Sequence, residues 1–96
     1  MTLEPAMSEI RHDAAHHRFV TEVDGHVAFV EYEPGASAIA ITHTIVPAAI
    51  GGRGIAGNLV RAVLLHARNE GLKVEPLCSY ADAWMRRHPE FEALRA

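Results

Sequence analysis

Four glycines fall within seven residues at Gly51-Gly52-Arg53-Gly54-Ile55-Ala56-Gly57, and the hydrophobic period of the chain changes across them. Before them, Ser37 to Val46 alternates, with Ile39, Ile41, His43 and Ile45 set on one face, the pattern of a strand. After them, Ile55, Leu59, Val63 and Ala67 recur at helical spacing, with Val60 and Leu64 beside them and Arg61, Arg68 and Glu70 off the stripe. A strand, a glycine turn and a long amphipathic helix therefore follow one another. Glycines let successive N–H groups face one concavity, and the helix start adds its own unpaired amides and positive dipole end. Such a turn suits a pyrophosphate, with Arg53 as an additional charged donor. The bland alternative is a flexible helix-start loop with no ligand.

Two better-known phosphate motifs fit the sequence less well, and a nucleotide-binding domain is a third reading, which ATP or NAD protection would reveal. Gly52-x-Gly54-x-x-Gly57 matches a dinucleotide-binding fingerprint, with Glu75 near the ribose-binding position. However, Pro47 to Ile50 separate the strand from the first glycine, three hairpin-type strands precede the unit, and 96 residues leave no room for further βαβ units. A P-loop fails because no Lys-Ser or Lys-Thr follows the last glycine.

The remaining elements follow from turn and stop signals. Asp24-Gly25 separates Arg18–Val23 from His26–Tyr32, two runs rich in strand formers, which predicts a hairpin. Pro34-Gly35 marks a second turn before the third strand. Gly71 ends the long helix. Leu72 to Glu75 is a short buried strand, which a right-handed crossover places parallel to the third. Ser79 to Arg87 is a second helix, stopped near His88-Pro89. The expected order is β-β-β-α-β-α, an α+β fold with a mixed sheet. Residues 10–96 form one domain behind a flexible leader at residues 1–9.

Composition narrows the function. Nine Lys and Arg against twelve acids give a net charge of −3, contrary to what phosphate neutralisation by a nucleic-acid binder requires. The lone Cys78 allows no internal disulfide and fits a reducing compartment. No apolar run is long enough to span a bilayer and no secretory leader is evident, so the expected location is cytoplasmic. His12, His16 and His17 lack accompanying carboxylate or thiol ligands in a metal-binding pattern, so no metal is expected. Trp84, Met85 and Phe91 are expected to cover the core.

The strand–glycine–helix segment resembles the GNAT superfamily of acetyl-CoA-dependent N-acetyltransferases, whose signature is Gln/Arg-x-x-Gly-x-Gly/Ala. That register falls on Gly51 to Ala56, with Gly54-Ile55-Ala56 matching and Gly51 standing where Gln or Arg is usual. His43-Thr44 with Val46-Pro47, Ala67-Arg68 with Gly71-Leu72-Lys73-Val74, Pro76-x-Cys78-Ser79-Tyr80 and His88-Pro89-Glu90 are similar to the short YjdJ-type branch of minimal GNAT domains. The resemblance implies a minimal GNAT-like fold and acetyl-CoA as cosubstrate, with an amine acceptor. It places the pantetheine along Ile45 and Val46, and the pyrophosphate on Gly51, Gly52, Arg53, Gly54, Ile55, Ala56 and Gly57.

Three side chains are candidates for the chemistry. No carboxylate lies on Ser37 to Val46, so His43 is the candidate base, histidine being the side-chain type whose reference pKa lies near neutrality; its alternative is a buried histidine beside Ile41 and Ile45. Cys78 precedes a helix, a position that favours thiolate and permits a covalent acetyl-cysteine route; its alternative is an inert residue lining the pocket. Tyr80, by the resemblance, protonates the departing CoA thiolate; its alternative is an aromatic packing on the sheet. A second functional class is a non-catalytic acyl-CoA-binding sensor or partner-binding module on the same fold. The sequence names neither the acceptor nor the oligomeric state.

Overall fold

A computed structural model describes residues 9–96; the expected leader, apart from Glu9, lies outside the described residues. The elements are β1 (Arg11–Asp13), β2 (Arg18–Val23), β3 (His26–Pro34), β4 (Ala38–Ile45), α1 (Ile55–Glu70), β5 (Lys73–Pro76) and α2 (Ser79–Arg86). Short 3₁₀ turns occupy Ala14–His16 and Ala48–Ile50, and a longer one spans Pro89–Leu94. The five strands form one sheet in chain order, antiparallel from β1 to β4 and parallel between β4 and β5. The mixed α+β architecture and the parallel fifth strand are as expected.

Local chemistry explains the boundaries. Asp24 and Gly25 both take positive φ, 52° and 78°, as the tight β2–β3 hairpin requires. Gly71 is left-handed at the end of α1, and Leu72 N–H donates back to Ala67 O at 2.8 Å. Strand β1 was not expected. Its Arg-His-Asp sequence has no apolar period, and it is held by pairing with β2 and by Thr21 Oγ1 donating to Glu9 O at 2.8 Å. At the other edge, Val74 bridges to Arg95 and Ala96 N–H donates to Val74 O at 2.8 Å.

One hydrophobic core joins both helices to a single face of the sheet. Leu59, Val60, Val63, Leu64 and Ala67 of α1 are fully buried against alternate strand residues such as Ala28, Val30, Ile39 and Ile41. Burying a leucine side chain stabilises by about 1.5–3 kcal/mol, so this stripe is what fixes α1 on the sheet. Ala81, Trp84 and Met85 of α2 and Phe91 join the same core, as expected for Trp84, Met85 and Phe91. The intervening β3 residues Val27, Phe29 and Glu31 point to the opposite face, on which none of the described helices packs.

The expected alternation of β4 fails halfway. Glu31 pairs with His43 but Tyr32 pairs with Ile41, so Thr42 is an extra residue in β4, and its Oγ1 donates to Glu31 O at 3.2 Å. This bulge changes the parity of the strand. Ile39 and Ile41 are buried, whereas His43 and Ile45 are exposed, and Val46 instead packs against the core.

Candidate functional site

Strands β4 and β5 part company at Ile41. Pairing ends at Ile41 with Pro76, and the next two amides, Leu77 N and Cys78 N, both donate to Ile41 O at 3.0 Å. That double contact turns the chain away into α2, while β4 runs on to Ile45 beside β3 alone. A gap therefore opens along residues 42–45 of β4. Its surroundings include the exposed apolar side chains of Ile45, Leu77 and Tyr80.

The glycine turn leads from this strand into α1. Gly52 and Gly54 take φ of 75° and 78°, a left-handed conformation strained for other residues, and Gly54 caps α1 without any side-chain bond. Among the described residues, the amides of Gly52 to Gly57 donate to no backbone carbonyl, and the first intrahelical amide to do so is Asn58 N, to Gly54 O. These amides and the positive end of a sixteen-residue helix make the turn suited to an anion. Gly51 is extended, with φ −68° and ψ 161°, a conformation open to any residue.

Two members of the turn have contacts that the sequence did not suggest. Arg53 donates from Nη1 to Asp24 Oδ2 at 2.7 Å, tying the glycine turn to the tip of the β2–β3 hairpin. A Cβ at Gly57 would lie 2.8 Å from Trp84 Nε1 and 3.4 Å from the Tyr80 hydroxyl. The absence of a side chain at Gly57 thus serves the close approach of α1 and α2, while its amide stays in the first turn.

The three candidate side chains do not converge on one point. Cys78 is the N-terminal cap residue of α2, half-buried, with its Sγ 3.6 Å from Thr44 Oγ1. Tyr80 reaches from the first turn of α2 to the first turn of α1, its hydroxyl next to Gly57. His43 lies on the helix-free face, so the buried-histidine alternative does not apply. Its Nδ1 is 3.3 Å from Glu31 Oε1, its cross-strand partner on β3. Glu31 stands on β3, outside the strand before the glycine turn, so the spacing of β4 alone gives no sign of it.

The histidines near the N-terminus belong to another place. His12 stacks on Phe19 with ring centroids 4.2 Å apart, and its Nε2 is 2.6 Å from the Tyr32 hydroxyl. Burial, then the neighbouring His66, hold His12 below its ordinary protonation range, partly offset by Asp13; burial raises Tyr32. His16 instead pairs with Asp13 at 2.9 Å. Among the described residues no group of three or more His, Cys, Asp or Glu side chains is placed to hold a metal ion. Among the described residues no helix is long and apolar enough to cross a membrane.

Comparison with known proteins agrees with this architecture. The chain is 30% identical over 93 residues to Protein NATD1 of Xenopus tropicalis, covering 92% of this chain and 84% of that one. It is 32% identical over 84 residues to Protein NATD1 of Homo sapiens, covering 83% and 74% respectively. Among solved structures, a GCN5-like protein from Staphylococcus aureus superimposes with a TM-score of 0.74 at 27% identity, over 92% of this chain and 87% of that one. Residues 18–94, a span that includes the glycine turn, the parted strands and both helices, match the sequence profile of the GCN5-related N-acetyl-transferases. The chain belongs to that family, the GNAT superfamily.

Proposed function

We propose that the chain transfers an acetyl group from acetyl-CoA to an amine, either a small molecule or a lysine side chain. The observation that carries this proposal is the parting of β4 and β5 at Ile41, beside a turn of unpartnered amides. In this arrangement the pantetheine lies in the gap along Ile45 and Val46, and the pyrophosphate on Gly51 to Gly57. The family generally uses acetyl-CoA, and the donor set fits it: backbone amides, a helix N-terminus and one arginine.

The chemistry follows from where charge moves. His43 accepts a proton from the incoming ammonium, freeing the lone pair that attacks the thioester carbonyl. Amides near the gap stabilise the tetrahedral oxyanion, and proximity supplies much of the remaining gain. As the C–S bond breaks, Tyr80 donates a proton to the CoA thiolate, and the nitrogen sheds its second proton to water, through which Tyr80 is reprotonated. The proximity of Thr44 and Cys78 supports a second route. There the Cys78 sulfur attacks the carbonyl, CoA departs as the thiol, and the amine then displaces the cysteine sulfur.

A thermal-shift titration with acetyl-CoA tests the proposal. Saturating acetyl-CoA raises the Tm, by linkage, and Arg53→Glu weakens that rise. No shift at saturation would refute acetyl-CoA as ligand. An amine panel with mass detection then separates the enzyme from a non-catalytic sensor, which would bind acetyl-CoA tightly and transfer nothing. Intact mass separates the two routes: an acetyl adduct on Cys78 that amines discharge supports the covalent one.

A further inference from the structure

We propose that Glu31 is a positioning residue for His43, fixing the imidazole tautomer that leaves Nε2 free to accept a proton; this rests on the role of His43 proposed above. The juxtaposition is built into the sheet. Glu31 and His43 are direct cross-strand partners, with Nδ1 and Oε1 3.3 Å apart. At 3.3 Å the contact is an ion-pair approach rather than a formed hydrogen bond; an ionised carboxylate can only accept, so closing it places the hydrogen on Nδ1. The other ring nitrogen then carries the lone pair, because the bond made by one nitrogen sets the state of the other.

Three features favour orientation over stability as the purpose of the pair. Both side chains are substantially exposed, 66% for His43 and 45% for Glu31, and exposed pairs contribute little to folding. The bulge that turns His43 to this face is tied to Glu31 itself, since Thr42 Oγ1 donates to the Glu31 carbonyl at 3.2 Å. One residue therefore anchors both the backbone and the side chain of the candidate base. Finally, the competing cation in the same cross-strand row, Arg18, donates its Nε to Asp13 at 3.1 Å. The ion pair recorded for Glu31 among the described residues is the one with His43.

The test combines nitrogen NMR of the His43 ring in the free protein with steady-state kinetics on the best amine from the panel. In the wild type, neutral His43 shows the Nδ1–H tautomer. Glu31→Ala moves it toward the Nε2–H tautomer and lowers kcat roughly tenfold, part of the gain general-base catalysis supplies, with KM for acetyl-CoA unchanged. Glu31→Gln, whose amide oxygen can accept the same hydrogen, recovers most of kcat and the Nδ1–H signal. The Tm of each variant stays near that of the wild type. A wild-type ring already in the Nε2–H form, an unchanged kcat in Glu31→Ala, or a Glu31→Gln variant as impaired as Glu31→Ala would each overturn the assignment. If no amine is acetylated, the NMR signature alone decides the positioning, and the failed panel counts against the proposed reaction.

Discussion

Replacing Gly57 by alanine sets two opposed effects against each other, and the structure decides which prevails. In a helix alanine is favoured over glycine by up to about 1 kcal/mol, so propensity alone predicts stabilisation. The added Cβ, however, would lie 2.8 Å from Trp84 Nε1 and 3.4 Å from Trp84 Cδ1. The indole has little room to retreat. It is buried, and it stacks on His88 with centroids 3.6 Å apart and planes within 10°. His88 is itself held by an Nδ1 contact to the Trp84 carbonyl at 2.7 Å. Over-packing of this kind costs about 1–3 kcal/mol, so the net effect is a loss of roughly 1–2 kcal/mol. For a domain of this size that lowers Tm by about 5–10 °C in a circular-dichroism melt. A cycle with Trp84→Phe assigns the cause: removing the pyrrole nitrogen reduces the penalty at position 57, giving a favourable coupling. An unchanged or higher Tm in Gly57→Ala would refute the packing argument and return Gly57 to the ligand turn alone.

Three further outcomes follow from the same contacts. Asp24→Asn weakens the 2.7 Å tie on Arg53 and tightens acetyl-CoA binding several-fold by calorimetry, if Arg53 contacts the phosphates when released. Gly51→Arg supplies the residue usual at that motif position on a backbone that accepts any side chain; its Tm stays near that of the wild type and its acetyl-CoA protection grows. The third concerns pH. His12 takes up a proton at lower pH in the folded chain than its ordinary 6.5, so below that value the unfolded chain binds more protons and stability falls as pH falls. Denaturant melts therefore show a decline beginning near pH 6.5, distinct from the loss below about pH 4 as Asp13, Asp82 and Glu92, all lowered by their partners, become protonated. His12→Gln removes the first decline and leaves the second.

Much of the fold was legible because its signals are local. Asp24-Gly25 has the dipeptide that its positive φ values demand, and Ile55 to Ala67 shows the helical stripe that the core buries. The crossover between β4 and β5 needed only a handedness rule. What escaped depends on distant partners. Strand β1 is three polar or charged residues with no period of their own, ordered by β2. The bulge at Thr42 is a property of the pairing of two strands, so no inspection of β4 alone could place His43 on the exposed face. Glu31 was hidden for the same reason: its position opposite His43 depends on that register. The glycine turn was located correctly, yet the ties of Arg53 to Asp24 and of Gly57 to Trp84 span 29 and 27 positions of sequence, counting from one residue number to the other.

The bulge also explains how so small a domain can keep structure and chemistry apart on one strand. Before Thr42, β4 contributes Ile39 and Ile41 to the core that holds α1 in place. Past it, His43 turns to the helix-free face, while Thr44 turns toward Cys78 at the start of α2. Under the proposed reaction the amine then approaches from the open face, where His43 can take its proton, and the thioester lies in the gap beyond Ile41. The departing sulfur is on the side of α2, where Tyr80 and Cys78 reside. Proton removal and thiolate release would therefore occur on opposite sides of the strand, served by groups that make no recorded contact with one another. Deleting Thr42 would remove the bulge yet preserve that division, because His43 would then follow Ile41 directly, on the opposite face and still across from Glu31, so acetyl transfer is expected to survive. A protein that stayed folded after that deletion, with His43 still beside Glu31, and lost transfer would show that the face presented by His43 is not what the reaction depends on.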